Sequence, residues 1–129
     1  MIEVKPLDND EVYRFYKGTF RFTVPVLGYA ARKGLLTVGI GGIWQEIDGR
    51  VWGFIAFKPG YRRRILYRYM LRLLAEAEET GVPEIFVVRD HTFDTSERLL
   101  LRGGFTKTEE KISDHEVWVW KNPRMKDNG

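Results

Sequence analysis

The chain has 129 residues, 21 lysines and arginines against 18 acids, a net charge of +3 and no cysteine. That length fits one domain, and the charge is too mild to argue for nucleic acid. The absence of thiols excludes disulfides, a cysteine nucleophile, a zinc ribbon and an iron–sulfur centre.

The longest uncharged run, Gly34 to Gln45, holds 12 residues and four glycines. A membrane helix needs roughly 20 apolar residues. Met1 to Lys5 shows no leader pattern, so a soluble, cytoplasmic domain is expected. In chain order, Ile2 and Val4 alternate with charged neighbours as a short strand that Pro6 ends. Asp8 and Glu11 have capping-box spacing, which predicts a helix from about Asn9 to Gly18 with Val12, Phe15 and Tyr16 as its buried stripe. Thr19 to Pro25 is aromatic and β-branched, but Pro25 argues against a central strand, leaving a loop or a short edge strand.

Gly28–Arg32 and Leu35–Ile47 read as strands joined by a tight turn at Lys33-Gly34. Asp48-Gly49 is the strongest hairpin signal in the chain and leads into a strand over Val51–Phe57. Pro59-Gly60 breaks it. Leu66, Met70, Leu73, Leu74 and Ala77 then recur at spacings of three and four, predicting the longest helix over Tyr61–Thr80, with Gly81 as its stop. Ile85–Val88 suits a short strand buried on both faces. Asp94 with Glu97 opens a further helix that ends at Gly103-Gly104. Phe105 starts a strand, Glu116–Trp120 alternates as another, and Lys121–Gly129 reads as a polar, frayed tail. The order predicts a mixed α/β domain over residues 1–121, an antiparallel-rich sheet flanked by helices, followed by a tail at 122–129.

Several groups carry chemistry, each with a plainer role beside it. Arg62, Arg63, Arg64, Arg68 and Arg72, interleaved with tyrosines, suit a bound phosphate. They equally suit a solvated helix face paired with Glu76 and Glu79, and nucleic acid is the least favoured partner. Asp90 and His91 follow the apolar strand, where α/β domains keep their sites, so His91 is a candidate base; a loop residue is the plainer role. Ser96 is a candidate proton donor or a first-turn helix residue. Glu46 is a candidate base or a surface residue beside the turn. No metal is expected, because His91 and His115 sit in different segments. Gly39, Gly41 and Gly42 lie inside a strand and point to a bulge or close packing, not a nucleotide loop. Trp44, Trp52, Trp118 and Trp120 suit core or cross-strand pairs, or else a pocket or partner surface.

The order of elements, the hairpin Val38–Trp44 with Arg50–Phe57, the proline and long helix after it, and Ser96–Phe105 ending in Gly-Gly-Phe together resemble the GNAT superfamily of N-acyltransferases. The resemblance spans about residues 1–121. The tryptophan-rich hairpin and the arginines after Pro59 resemble the short GNAT-like proteins of tailed phages, some associated with virion assembly. It implies acetyl-CoA as co-substrate, entering between two central strands near Ala56, Phe57 and Lys58, with an amine acceptor. Its phosphates would lie on the segment Arg62, Arg63, Arg64, Ile65, Leu66 and Tyr67, with Leu100 nearby. Two departures stand out. Ile65 and Tyr67 occupy positions where the family carries small residues, and Leu100 stands where many members carry a tyrosine acid. The resemblance therefore implies either an acyltransferase with a divergent phosphate site or a non-catalytic module that binds a protein partner, in host cytoplasm or virion.

Overall fold

The computed structural model describes residues 2–61, 64–89 and 96–128. Its elements run β1 (Ile2–Pro6), α1 (Asn9–Phe15), β2 (Val26–Lys33), β3 (Leu36–Gln45), β4 (Val51–Phe57), α2 (Arg64–Thr80), β5 (Glu84–Val88), α3 (Ser96–Arg102), β6 (Phe105–Ile112) and β7 (His115–Lys121), then a 3₁₀ turn over Pro123–Asn128. Thr19–Pro25 carries no strand. Seven strands form one sheet in the order β1-β2-β3-β4-β5-β7-β6. Every pairing is antiparallel except β4 with β5, so the expected mixed, mostly antiparallel sheet flanked by helices is what the chain forms.

The punctuation works as the residues dictate. Asp8 accepts the Glu11 backbone N–H at 2.8 Å and caps α1. Gly81, at φ +84°, ends α2, and Val82 N–H donates to Ala77 O at 3.0 Å, closing the last turn.

The faces differ from the periodicity reading in three places. Glu11, not Tyr16, completes the buried side of α1. In β5 only Ile85 is fully buried, and Val88 is exposed. In β7 four consecutive residues, Val117 to Trp120, are buried, because β5 and β6 flank that strand and both of its faces are covered. The tail is not frayed at its root. Asn122 is buried, its Nδ2 donates to Glu78 O (3.1 Å) and Val82 O (3.0 Å), and its Oδ1 accepts from Arg124 N.

One face of the sheet carries α1, sealed by Leu7, Val12, Phe15, Ala30 and Ile40. The other carries α2 and α3 over two clusters, one built on Ala31, Val38 and Leu66, the other on Ala77, Ile85, Phe105, Trp118 and Trp120. The strand glycines let α2 sit close. A Cβ on Gly39 would lie 2.9 Å from the Phe57 ring, and one on Gly41 would lie 2.6 Å from Met70 Sδ. The glycines of β2 and β3 also face one another directly, since a Cβ on Gly28 would fall 2.0 Å from Gly41 O. A bulge between Ala31 and Arg32 of β2 shifts the register against β3. It leaves Val38 and Gly39 both facing α2 and turns Thr37 towards α1.

Candidate functional site

The β4–β5 ladder consists of two pairs, Trp52 with Phe86 and Gly53 with Val87. Beyond it β4 continues for four residues, to Phe57, with no ladder partner among the described residues on its β5 side, while β5 ends at Val88. Arg89 N–H turns instead to Glu116 O (2.9 Å). Parallel strands that separate in this way leave a wedge open at their carboxyl ends, the usual position for a ligand in an α/β sheet.

The wedge has two walls. On the α1 side, Phe54 and Ala56 pack onto the α1 cluster, and Phe20, Phe22, Trp44 and Phe54 form a chain of ring contacts with centroids 5.1–5.8 Å apart. On the α2 side, Ile55 and Phe57 pack onto the cluster around Leu66. Trp44 and Trp52 face each other across β3 and β4, while Trp118 and Trp120 are core. The tryptophans are thus cross-strand and core groups.

At the mouth, Lys58 is committed locally. Its Nζ donates to Phe15 O and stands 4.6 Å from the Phe15 ring centroid. Its backbone N–H donates to Val38 O (2.9 Å). Lys58 therefore ties the C-terminus of α1 to the end of β4, a favourable placement for a cation. Gly60 follows at φ +83°, with nothing within 4 Å of where a Cβ would stand. The first turn of α2 holds no acid, so it brings no carboxylate of its own to the N–H groups at the helix start. Arg64 and Ile65 are exposed, Leu66 is buried entirely in the core, and Tyr67 is half-buried. Only the backbone of Leu66 can face a ligand. Arg62 and Arg63 lie outside the described residues.

Further along α2, Arg68 and Arg72 are exposed and, among the described residues, neither pairs with Glu76 or Glu79. Arg72 stacks over Tyr69 at 4.8 Å.

The Tyr67 hydroxyl is buried and has no hydrogen-bond partner among the described residues. Burial pushes its pKa up, against a smaller lowering by Arg102 of α3. Leu100 packs on the cluster that holds Trp118 and Trp120.

Of the expected acid–base residues, Glu46 alone has a described side chain. Glu46 lies in the β3–β4 hairpin and accepts from Trp44 Nε1 at 3.0 Å. From the Gln45–Val51 pair beside it to the Gly39–Phe57 pair at the mouth is six strand positions, roughly 20 Å. Asp90 and His91 lie outside the described residues, as does the side chain of Ser96, which opens α3.

Two polar features escaped the sequence reading. Glu11 is buried, and its Oε1 sits 3.2 Å from both Lys5 Nζ and Arg32 Nη1 and 3.8 Å from Arg14 Nη1, while Thr37 donates to Oε2. Burial alone would raise its pKa. The hydrogen bonds from Thr37 and Lys5 and the charge of Arg32 outweigh that and hold the carboxyl below its usual range. Capping-box spacing drew attention to Glu11, but not to its partners 21 and 26 residues away. The second is Glu116, which receives Lys107 Nζ (3.1 Å), Trp118 Nε1 (3.1 Å) and Arg89 Nη1 (3.2 Å). The bond from Lys107 is the largest influence holding its pKa at about 2.

This seven-stranded, mostly antiparallel sheet flanked by helices matches the fold of solved GNAT-family structures. An acetyltransferase of the GNAT family from Staphylococcus aureus superposes with a TM-score of 0.67, covering 94% of this chain and 99% of the other at 11% identity. The PaiA N-acetyltransferase from Thermoplasma acidophilum, solved in complex with coenzyme A, gives 0.64 over 94% and 99% at 11% identity. No protein-family model matches the chain, and no curated protein matches it in sequence. Among the described residues no helix is long and apolar enough to cross a membrane.

Proposed function

We propose that the chain is an acyl-CoA-dependent N-acyltransferase that moves an acetyl group from acetyl-CoA to an amine. The observation that carries this reading is the wedge left when β4 outruns β5 after two ladder pairs, with the start of α2 at its mouth. The residues present fit an anionic, elongated donor: an acid-free first turn of α2, the exposed Arg64 and a buried Tyr67 hydroxyl without a partner among the described residues. The phosphates would be held by Arg62, Arg63 and Arg64 through side-chain hydrogen bonds, since Ile65 and Tyr67 keep them further from the backbone than small residues would.

Bound there, the donor would supply an activated thioester: as the amine nitrogen bonds to its carbonyl carbon the C–S bond would break, and coenzyme A would leave as the thiol after its sulfur takes up a proton. The amine must first be neutral, and Asp90 and His91, immediately after β5 in sequence, are the proposed route for its proton. Ser96, at the head of α3, is the second candidate for moving a proton. Glu46, at the far end of the hairpin, has no place in this scheme. The core packing of Leu100, at the position where many GNAT members carry a tyrosine acid, favours a second reading. In that reading the fold is kept without catalysis and serves as a protein-interaction module, such as a phage virion or assembly component.

Calorimetric titration with coenzyme A and acetyl-CoA separates the two. The acyltransferase reading expects micromolar binding that the double change Arg63→Ala and Arg64→Ala weakens about tenfold or more, as for loss of charge-assisted bonds. It also expects that weakening to shrink at high salt. Absence of heat and of thermal stabilisation at millimolar ligand overturns it in favour of the interaction module.

A further inference from the structure

Tyr67 lies seven residues, two helical turns, before Leu74 and so shares its side of α2. Leu74 packs on the cluster that Leu100 of α3 and Val87 of β5 also join. Two turns towards the start of α2, the same side overlooks the stretch where β4 has already parted from β5. The influence of Arg102 on the Tyr67 hydroxyl agrees with this direction, towards α3. The hydroxyl is thus assigned to the side of α2 that faces α3, and it is buried and without a partner among the described residues.

A buried hydroxyl that finds no partner is costly, and native structures rarely keep one without a reason. Phenylalanine would supply the same ring and avoid the penalty. We propose that Tyr67 is a ligand-binding residue whose hydroxyl donates a hydrogen bond to an acceptor atom of the acyl donor, where that molecule passes between α2 and α3. This inference rests on the acyl-donor reading above. It gives the tyrosine a positive role in a position where its bulk alone would only narrow the passage.

The test uses the whole protein, coenzyme A as probe, and three proteins: wild type, Tyr67→Phe and Tyr67→Ala. Removing an unpaired oxygen should leave the free Tyr67→Phe protein more stable, raising Tm by about 3 °C. The same change should weaken coenzyme A binding about tenfold, measured by calorimetry. A side chain with a purely structural role does not move the two readouts in opposite directions. Tyr67→Ala should bind more weakly still. Equal affinity of wild type and Tyr67→Phe overturns the proposal, and so does tighter binding by Tyr67→Ala, which would mark the ring as an obstruction. If the wild type itself fails to bind, the acyl-donor reading falls and this inference falls with it. That outcome is distinct from wild-type binding that Tyr67→Phe leaves unchanged.

Discussion

Two buried polar groups sit on opposite faces of one sheet and are treated in opposite ways. Glu11, on the α1 face, is surrounded by Lys5, Arg14, Arg32 and Thr37 from four different elements. Tyr67, on the α2 face, keeps a buried oxygen with no partner among the described residues. The first arrangement is closed around the carboxylate, whose two oxygens meet several donors, although the buried Arg32 Nε itself has no hydrogen-bond partner among the described residues. The second is open, and a ligand with a free acceptor atom would complete it. The difference lies in where the oxygens stand: those of Glu11 are met from four elements, whereas that of Tyr67 is met by none among the described residues.

The contrast breaks most visibly at Glu11. Glu11→Ala strands Arg32 and Thr37 beneath α1 and should cost about 3 kcal/mol in a denaturant titration. This is opposite in sign to the gain expected for Tyr67→Phe in the free protein. A destabilisation under about 1 kcal/mol would show that the α1 corner is not the rigid element it looks to be.

A second change tests the seat of α2 and touches neither polar group. Gly41→Ala places a Cβ 2.6 Å from Met70 Sδ and should cost about 1–2 kcal/mol by overpacking. Because Met70 is flexible, pairing it with Met70→Ala should recover part of the loss. Strict additivity of the two changes would show that strain elsewhere, such as at Phe54 O, governs the site.

The smallest effect belongs to Glu116, a partly exposed carboxylate that resembles Glu11 in having several donors. Its pKa is depressed to about 2, so the folded state binds its proton less readily than the unfolded chain does. The resulting stabilisation is complete above about pH 5 and fades as the pH falls through the unfolded value, near 4.3, towards 2. The stability difference between wild type and Glu116→Gln should therefore be constant near neutrality and vanish towards pH 2. A difference that persists at pH 2 would assign the role of Glu116 to shape and not to charge.

Much of the fold was legible in the residues because its determinants are local. Asp8 caps the helix that follows it, Asp48-Gly49 turns the hairpin, and Gly81 ends α2 within one turn of itself. The burial of β7 was not legible. A period-two pattern reports on one face, whereas covering both depends on strands and helices brought in from elsewhere. The ionic corner was hidden for the same reason, since Arg32 and Thr37 reach Glu11 only after β2 and β3 have paired and the bulge has turned Thr37 round. At the wedge, sequence showed a tyrosine in an unusual position but not the direction of its hydroxyl. The arginines at 62 and 63 and the Asp90-His91 pair fall outside the described residues.

The brevity of the β4–β5 ladder has a mechanical side. Among the described residues, four strands on one side and three on the other are stitched through the backbone at two positions; side-chain packing under α2 and α3, the Trp52–Phe86 ring contact and the Arg50–Glu110 ion pair complete the join. The sheet therefore behaves as two plates meeting along a perforated line, stiff within each plate and compliant across the join. A molecule entering that line would act as a wedge and a rivet together, widening the mouth while fastening the plates to each other.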